Sequence, residues 1–274
     1  MRNIKLTLEY DGTDYGGWQT QRTKSKAQSA KCEIKTIQET IEKNLERILQ
    51  ERINLIGSGR TDAGVHALGQ VANFKTKNPL SLNSLQMALN SLLPDDIVVK
   101  KVEEVDEKFH ARYSAKSKVY QYTILNNPLP SPLLRRQTYF YPYPLNLGLL
   151  KREAKYLLGR HNFNSFCASG SGVKDTTRTI KKISVRKKVA CRKNCLLLTA
   201  CPVGLSFGAS CQLVIIDIEA NGFLYKMVRN IVGTLIDINR GKIKGIKEVL
   251  NAFNRRKAGE TVPAQGLCLL KVRY

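Results

Sequence analysis

The sequence predicts an α+β fold built from two similar halves, each a mainly antiparallel sheet flanked by helices, with an active-site cleft between them. Three observations carry that expectation. Short alternating or β-branched runs recur in both halves, apolar residues at helical spacing lie between them, and a proline-rich stretch parts one set from the other. At 274 residues and 42% hydrophobic, the chain can bury two cores.

Residues 4–10 alternate as a strand and end in the turn signal Asp11-Gly12. A polar, basic loop is expected over 22–31, and Thr36-Ile37-Gln38-Glu39 resembles a capping box. Ile37, Ile41, Leu45 and Ile48 mark the buried stripe of the helix that follows. Residues 53–56 and 70–74 read as strands on either side of a glycine-rich loop. A second helix begins at Ser81, turns Leu82, Leu85, Leu89 and Leu92 inward, and stops before Pro94. Strands follow over 97–105 and 118–125. Pro128, Pro130, Pro132, Pro142 and Pro144 then interrupt regular structure, so the expected division is 1–126, a connection over 127–144, and 145–274. The second half offers a helix over 147–158, strands over 177–185 and 213–220, a helix over 224–239, a shorter one reaching 253, and a final strand over 267–273.

Lysine and arginine total 45 against 22 acidic residues, a net charge of +23, which points to a polyanion and first to nucleic acid. Solubility charge on an ordinary enzyme is the plainer alternative. The basic residues cluster: nine and a single acid lie between Lys174 and Lys193, and seven and a single acid between Arg240 and Lys257. Either run could line a phosphate-binding surface, although a solvated face is the default for such a run. No apolar stretch reaches the ~20 residues that span a bilayer, and residues 1–7 read as a strand rather than a signal peptide. A cytoplasmic protein is expected. Seven cysteines, an odd number, fit a reducing compartment. Cys191, Cys195, Cys201 and Cys211 lie close in sequence, but without a Cys-x-x-Cys pair and with three histidines in the chain they read as thiols rather than zinc ligands.

The densest chemistry lies between Gly57 and Phe74, where Arg60-Thr61-Asp62-Ala63-Gly64-Val65-His66-Ala67 connects two strand-like runs. A carboxylate on a tight glycine-rich connection, beside Arg60, can serve as a nucleophile. An Asx-turn that merely shapes the loop is the bland alternative for Asp62. Ser58, His66 and Asp62 could be drawn as a hydrolase triad, but such triads assemble from distant loops and no Gly-x-Ser-x-Gly elbow is present. Gly57-Ser58-Gly59 lacks the Gly-Lys-Ser/Thr of a P-loop, and Asp11 with Asp14 lacks further metal ligands.

Four more segments accompany that loop: residues 10–19 (YDGTDYGGWQ), 109–115 (FHARYSA), 118–122 (KVYQY) and 221–230 (NGFLYKMVRN). Together with residues 60–67 and the closing Pro263-Ala264-Gln265-Gly266-Leu267, they resemble the signature of tRNA pseudouridine synthases of the TruA type. The resemblance covers nearly the whole chain apart from the 22–31 loop and an apparent insertion over 188–211. It implies isomerisation of uridine to pseudouridine at tRNA positions 38, 39 and 40 of the anticodon stem-loop, with no cofactor, in a homodimer that holds tRNA across both subunits.

Residue by residue, the resemblance makes Asp62 the nucleophile, Tyr120 the ring that stacks on a flipped uridine, and Arg229 the partner of the catalytic carboxylate. Arg60 would contact the RNA backbone or fill the gap left by the flipped base. Attack at ribose C1′ and addition at uracil C6 are both open to the carboxylate. In strand 118–125 a tyrosine facing the core is the ordinary reading of Tyr120, and a surface cation that of Arg229. A catalytically silent RNA-binding or RNA-chaperone protein is the competing function, and a glycosidic-bond hydrolase using Asp62 a third.

Overall fold

The computed structural model describes residues 1–19, 35–170, 172–190 and 211–274. The 22–31 loop and the 188–211 insertion fall largely outside the described residues, as do Cys191, Cys195, Cys201 and the side chain of Cys211. The architecture is α+β with mainly antiparallel strands. In chain order the elements are β1 (Arg2–Tyr10), α1 (Ile37–Leu49), β2 (Ile56–Gly57), β3 (His66–Thr76), α2 (Leu82–Leu92), β4 (Ile97–Val105) and β5 (Ser117–Leu125). They continue as β6 (Tyr139–Phe140), α3 (Leu147–Lys155), β7 (Gly159–Asn162), β8 (Thr177–Ala190), β9 (Cys211–Ala220), α4 (Met227–Asn239), α5 (Ile246–Ala252) and β10 (Leu267–Arg273). No helix among the described residues is long and apolar enough to cross a membrane.

The chain forms two compact units, Met1–Val119 with Cys268–Tyr274, and Tyr120–Leu267. In the first, β1 pairs antiparallel with both β3 and β4, Leu6 facing Ala72 on one side and Val102 on the other. β10 adds in parallel to β3 with Cys268 opposite His66. Ile4, Leu6 and Leu8 alternate into a core with Phe74 and Val99, as period-two spacing requires. α1 and α2 cover it with Ile37, Ile41, Leu45 and Leu49 and with Leu85 and Leu89. In the last turn of α1 Leu49 is the buried residue, and Ile48 is only half-buried.

In the second unit β8 and β9 form a long antiparallel pair with Ile183 facing Ile218, and β7 extends it beyond β8. β6 runs parallel to β5, Ile124 opposite Tyr139. Tyr122 and Ile124 are buried on one face of β5 with Tyr120, as alternation predicts. α4 is buried from Ile231 to Ile238 and forms the centre of this unit.

Three expectations shift. Residues 53–56 do alternate, with Ile53 and Leu55 buried, yet β2 spans Ile56–Gly57 alone. The amides of Ile53 and Leu55 donate instead to the carboxylates of Glu46 and Glu42 on α1, at 3.3 and 2.9 Å, so helix side chains stand where a strand partner was expected. α3 stops at Lys155 rather than 158, because Leu157 and Leu158 tighten into three-residue turns on Ala154 and Lys155. α4 starts at Met227 rather than 224: Lys226 sits in the left-handed region at φ 57, a conformation that excludes it from the helix.

Candidate active site

Asp62 lies on the connection between β2 and β3, half-buried, with Arg60 exposed beside it and Thr61 buried between them. The loop is fastened from both ends. The Tyr10 hydroxyl, at the end of β1, meets the Thr61 hydroxyl at 2.8 Å, and Trp18 N–H donates to the Thr61 carbonyl at 3.0 Å. Burial pushes the Tyr10 phenol well above its ordinary range, so it remains a neutral hydrogen-bonding group. Past Asp62 the chain reverses in a turn closed by Val65 N–H on the Asp62 carbonyl at 3.2 Å, with Gly64 at φ 77 supplying the positive φ of its third position. Upstream, Ser58 donates its hydroxyl to Gln70 at 2.6 Å and Gln70 returns a bond to the Gly59 carbonyl at 2.9 Å. Backbone and side chain on both flanks thus hold Asp62 in place.

The same contacts dispose of a hydrolase triad. Ser58 gives its proton to Gln70, while His66 Nδ1 accepts from Gly12 N–H at 3.2 Å and stands 3.0 Å from the Asp11 carboxylate. Asp11 in turn accepts from both the amide and the hydroxyl of Thr13, the turn role expected for it. No cluster of three potential metal ligands occurs among the described residues.

Two groups in this unit escaped the sequence reading. Asn3 and Asn73 are buried on β1 and β3, bonded to each other at 2.9 Å, and together they grip the 106–111 turn that leads to Arg112. Asn3 donates to the carbonyls of Asp106 and Phe109, and Asn73 accepts from Ala111 N–H at 2.8 Å. Both lie on the sheet face of Lys5, opposite that of Ile4, Leu6 and Leu8, so no break in the alternation announces them. Lys118, at the start of β5, is the other: its ammonium donates to the Ser58 carbonyl on the Asp62 loop. Burial, with the neighbouring Arg112 cation, pulls its pKa down to about 8.

Tyr120 and Arg229 belong to the second unit. Tyr120 is 7% exposed, and the Phe223 ring meets it edge-on at 4.9 Å and 81°, which sets its ring plane. Arg229, half-buried in the first turn of α4, donates Nε–H to the Val262 carbonyl at 2.8 Å. Beside it, Asn230 is fully buried and donates to the Phe166 carbonyl at 2.8 Å while accepting from Arg255 at 3.0 Å and from the Thr261 hydroxyl at 2.5 Å. The strand partner of Tyr120, Tyr122, donates its hydroxyl to the Pro263 carbonyl at 2.8 Å. Residues 258–263, which bear several of these acceptors, are therefore tied to the start of α4 and to β5.

The basic runs divide into surface and interior members. Lys181, Lys182, Lys187 and Lys188 on β8 are exposed, and Arg186 is paired to Asp217 at 3.2 Å. In the run from Arg240 to Lys257, Arg255 instead turns inward to the carbonyls of Ala258 and Gly259 and to Asn230. Burial lowers its pKa from the ordinary guanidinium value.

A family model described as tRNA pseudouridine synthase matches residues 7–114 and 154–274. A tRNA pseudouridine synthase A of Thermoanaerobacter sp. (strain X514) is 44% identical over 276 aligned positions, covering 100% of both chains. Its counterpart in Acetivibrio thermocellus is 43% identical and a tRNA pseudouridine synthase A 2 of Clostridium perfringens 42%, each again over the full length of both chains.

Proposed function

The chain belongs to the tRNA pseudouridine synthase family, and on that premise we propose that it isomerises uridines 38, 39 and 40 of the tRNA anticodon stem-loop with Asp62 as nucleophile. The observation that carries the role of Asp62 is the doubly fastened loop: Thr61 is bonded to Tyr10 and Trp18 on one side of Asp62, and the Gly64 turn closes on the other. A carboxylate so held pays little reorganisation when it meets its target. In the reaction the N1–C1′ bond breaks, the uracil rotates, and a C5–C1′ bond forms. N1 gains a proton and the C5 hydrogen leaves to water, so atoms and charge balance without a cofactor.

A stem nucleotide must leave its helix to be reached, and the flipped uracil then stacks on Tyr120, whose plane Phe223 sets. Arg229 pairs with the catalytic carboxylate, favouring its ionised form and orienting it. Arg60, exposed next to the nucleophile, serves the RNA backbone or the vacated position in the stem. The enzyme works as a cytoplasmic homodimer with tRNA across both subunits, a reading supported by the resemblance of its motifs to the family. The exposed lysines of β8 supply phosphate contacts.

The test is release of tritium to water from tRNA labelled at uridine C5, run with the wild type and Asp62→Ala. Release by the wild type alone, with base and ribose still joined, is the expected result. No release from any suitable tRNA would favour a silent RNA-binding protein, and free uracil would favour a hydrolase. Undiminished release by Asp62→Ala would remove Asp62 from the chemistry.

A further inference from the structure

The clearest group with no assigned task is the ammonium of Lys118. It lies at the start of β5, half-buried, and donates to the backbone carbonyl of Ser58. Gly59, the next residue, passes so close that a Cβ built on it would stand 2.6 Å from Lys118 Nζ. The loop backbone therefore rests directly on the ammonium. Ser58 is four residues before Asp62 and two before Arg60, and its side chain and amide are already engaged by Gln70 and Val71. Its carbonyl is the remaining backbone group, and Lys118 takes it. A lysine that only needed a surface would not desolvate its head group to reach one loop carbonyl.

We propose that Lys118 is a positioning residue for the isomerisation, a charged strut that holds the Ser58–Gly59 backbone and through it sets the reach of Asp62 and Arg60. This rests on the reading of Asp62 as nucleophile. A hydrogen bond from a cation to a carbonyl is about twice as strong as one from a neutral donor, so the strut works in its protonated state. Burial and the Arg112 cation have brought its pKa down to about 8. The charged groups around it are Arg112 on the 106–114 turn, with Arg60 and Asp62 farther along the loop it holds. An alkaline fall in turnover near pH 8 that Lys118→Arg abolishes is therefore assigned to Lys118.

The sign separates this role from plain stabilisation. A lysine whose folded pKa is depressed binds fewer protons folded than unfolded between about 8 and its ordinary 10.5, so stability rises with pH across that window. Turnover should fall across the same window. Opposite slopes of stability and kcat are the signature of a strut that is costly to bury and needed when charged.

Single-turnover and steady-state tritium release on saturating tRNA, from pH 6.5 to 9.5, would be measured for the wild type, Lys118→Met and Lys118→Arg, with urea melts and tRNA affinity alongside. Lys118→Met is expected to lower kcat about tenfold at pH 7 with tRNA affinity within about threefold, and to lose the alkaline limb near pH 8. Lys118→Arg, which stays charged throughout, is expected to recover most of kcat and to show no limb below pH 9. The proposal is overturned if Lys118→Met keeps wild-type kcat, if it loses affinity instead of kcat, or if the limb near pH 8 persists in Lys118→Arg. Should Lys118→Met not fold, the arginine variant's pH profile decides alone. Inactivity of the wild type would strike the assigned reaction itself, whereas an active wild type, a dead Asp62→Ala and an indifferent Lys118→Met would strike only the strut.

Discussion

The hydroxyls of Tyr10 and Thr61 meet at 2.8 Å one residue before Asp62, joining the end of β1 to the loop that carries the proposed nucleophile. Thr61 is 6% exposed and Tyr10 3%, so water cannot replace either partner easily. Tyr10→Phe is expected to cost about 1–2 kcal/mol of stability, since Thr61 loses its buried partner. It should also lower kcat for pseudouridine formation, with tRNA affinity little changed. Urea denaturation and tritium release measure the two effects separately, and an unchanged kcat would show that the Thr61 anchor does not reach Asp62.

Gly17 approaches the same residue from the other side. Its φ is 95, and a Cβ there would stand 2.6 Å from the Thr61 carbonyl oxygen, the acceptor of Trp18 N–H. Gly17→Ala is therefore strained in its backbone and crowded at the loop. A loss of about 1–3 kcal/mol is expected, with turnover falling further than stability alone explains. A fully active, fully stable Gly17→Ala would mean that the loop tolerates a displaced Thr61.

Much of this could be read from the residues. Strand β1, the Ser81 cap and the α1 capping threonine follow local rules of alternation and hydrogen bonding, and the structure places them where those rules predict. What escaped reading depends on distant partners. Glu42 and Glu46 satisfy the amides of Leu55 and Ile53 across the α1–β2 connection, a substitution that no local pattern encodes. The carbonyl that Lys118 meets belongs to Ser58, sixty residues earlier, and nothing in the pattern of its own strand points to it. Asn3 and Asn73 share the face of Lys5, opposite that of Ile4, Leu6 and Leu8, so alternation alone does not mark them, and their meaning comes only with the 106–111 turn they hold.

That turn yields its own prediction. Asn73→Ala removes the acceptor of Ala111 N–H and the partner of Asn3 in a fully folded interior. Orphaned buried groups cost about 1–3 kcal/mol each, so a loss of roughly 2–4 kcal/mol is expected. Amide exchange at Ala111 should accelerate in step. A stable variant with Ala111 still protected would show that another group takes over the turn.

Tyr120 separates binding from turnover. If phosphate contacts supply most of the affinity, Tyr120→Ala keeps much of its tRNA binding and loses tritium release. Tyr120→Phe, which retains a ring against Phe223, should keep a larger share of turnover. Gel-shift titrations in which Tyr120→Ala loses affinity as steeply as activity would contradict the stacking role.

Arg255 and Arg256 are adjacent in a basic run yet should behave as opposites. Arg255 donates to the carbonyls of Ala258 and Gly259, to Thr261 and to the buried Asn230, all within the second unit. Removing it takes a charged donor from the Ala258 and Gly259 carbonyls, and Asn230, fully buried, keeps only the Thr261 hydroxyl as donor to its side-chain oxygen. Arg255→Ala is expected to lose about 2–4 kcal/mol, with the affinity of the remaining folded protein for tRNA nearly intact. Arg256 is exposed. Its replacement by alanine should leave stability within about 0.5 kcal/mol. If it meets a phosphate, the variant should also flatten the dependence of log affinity on log salt by about one contact's slope. Urea melts and tRNA titrations at several salt concentrations decide both. The outcome that would reverse the assignment is a salt slope reduced by Arg255→Ala and untouched by Arg256→Ala, because it would place the interior guanidinium on the RNA.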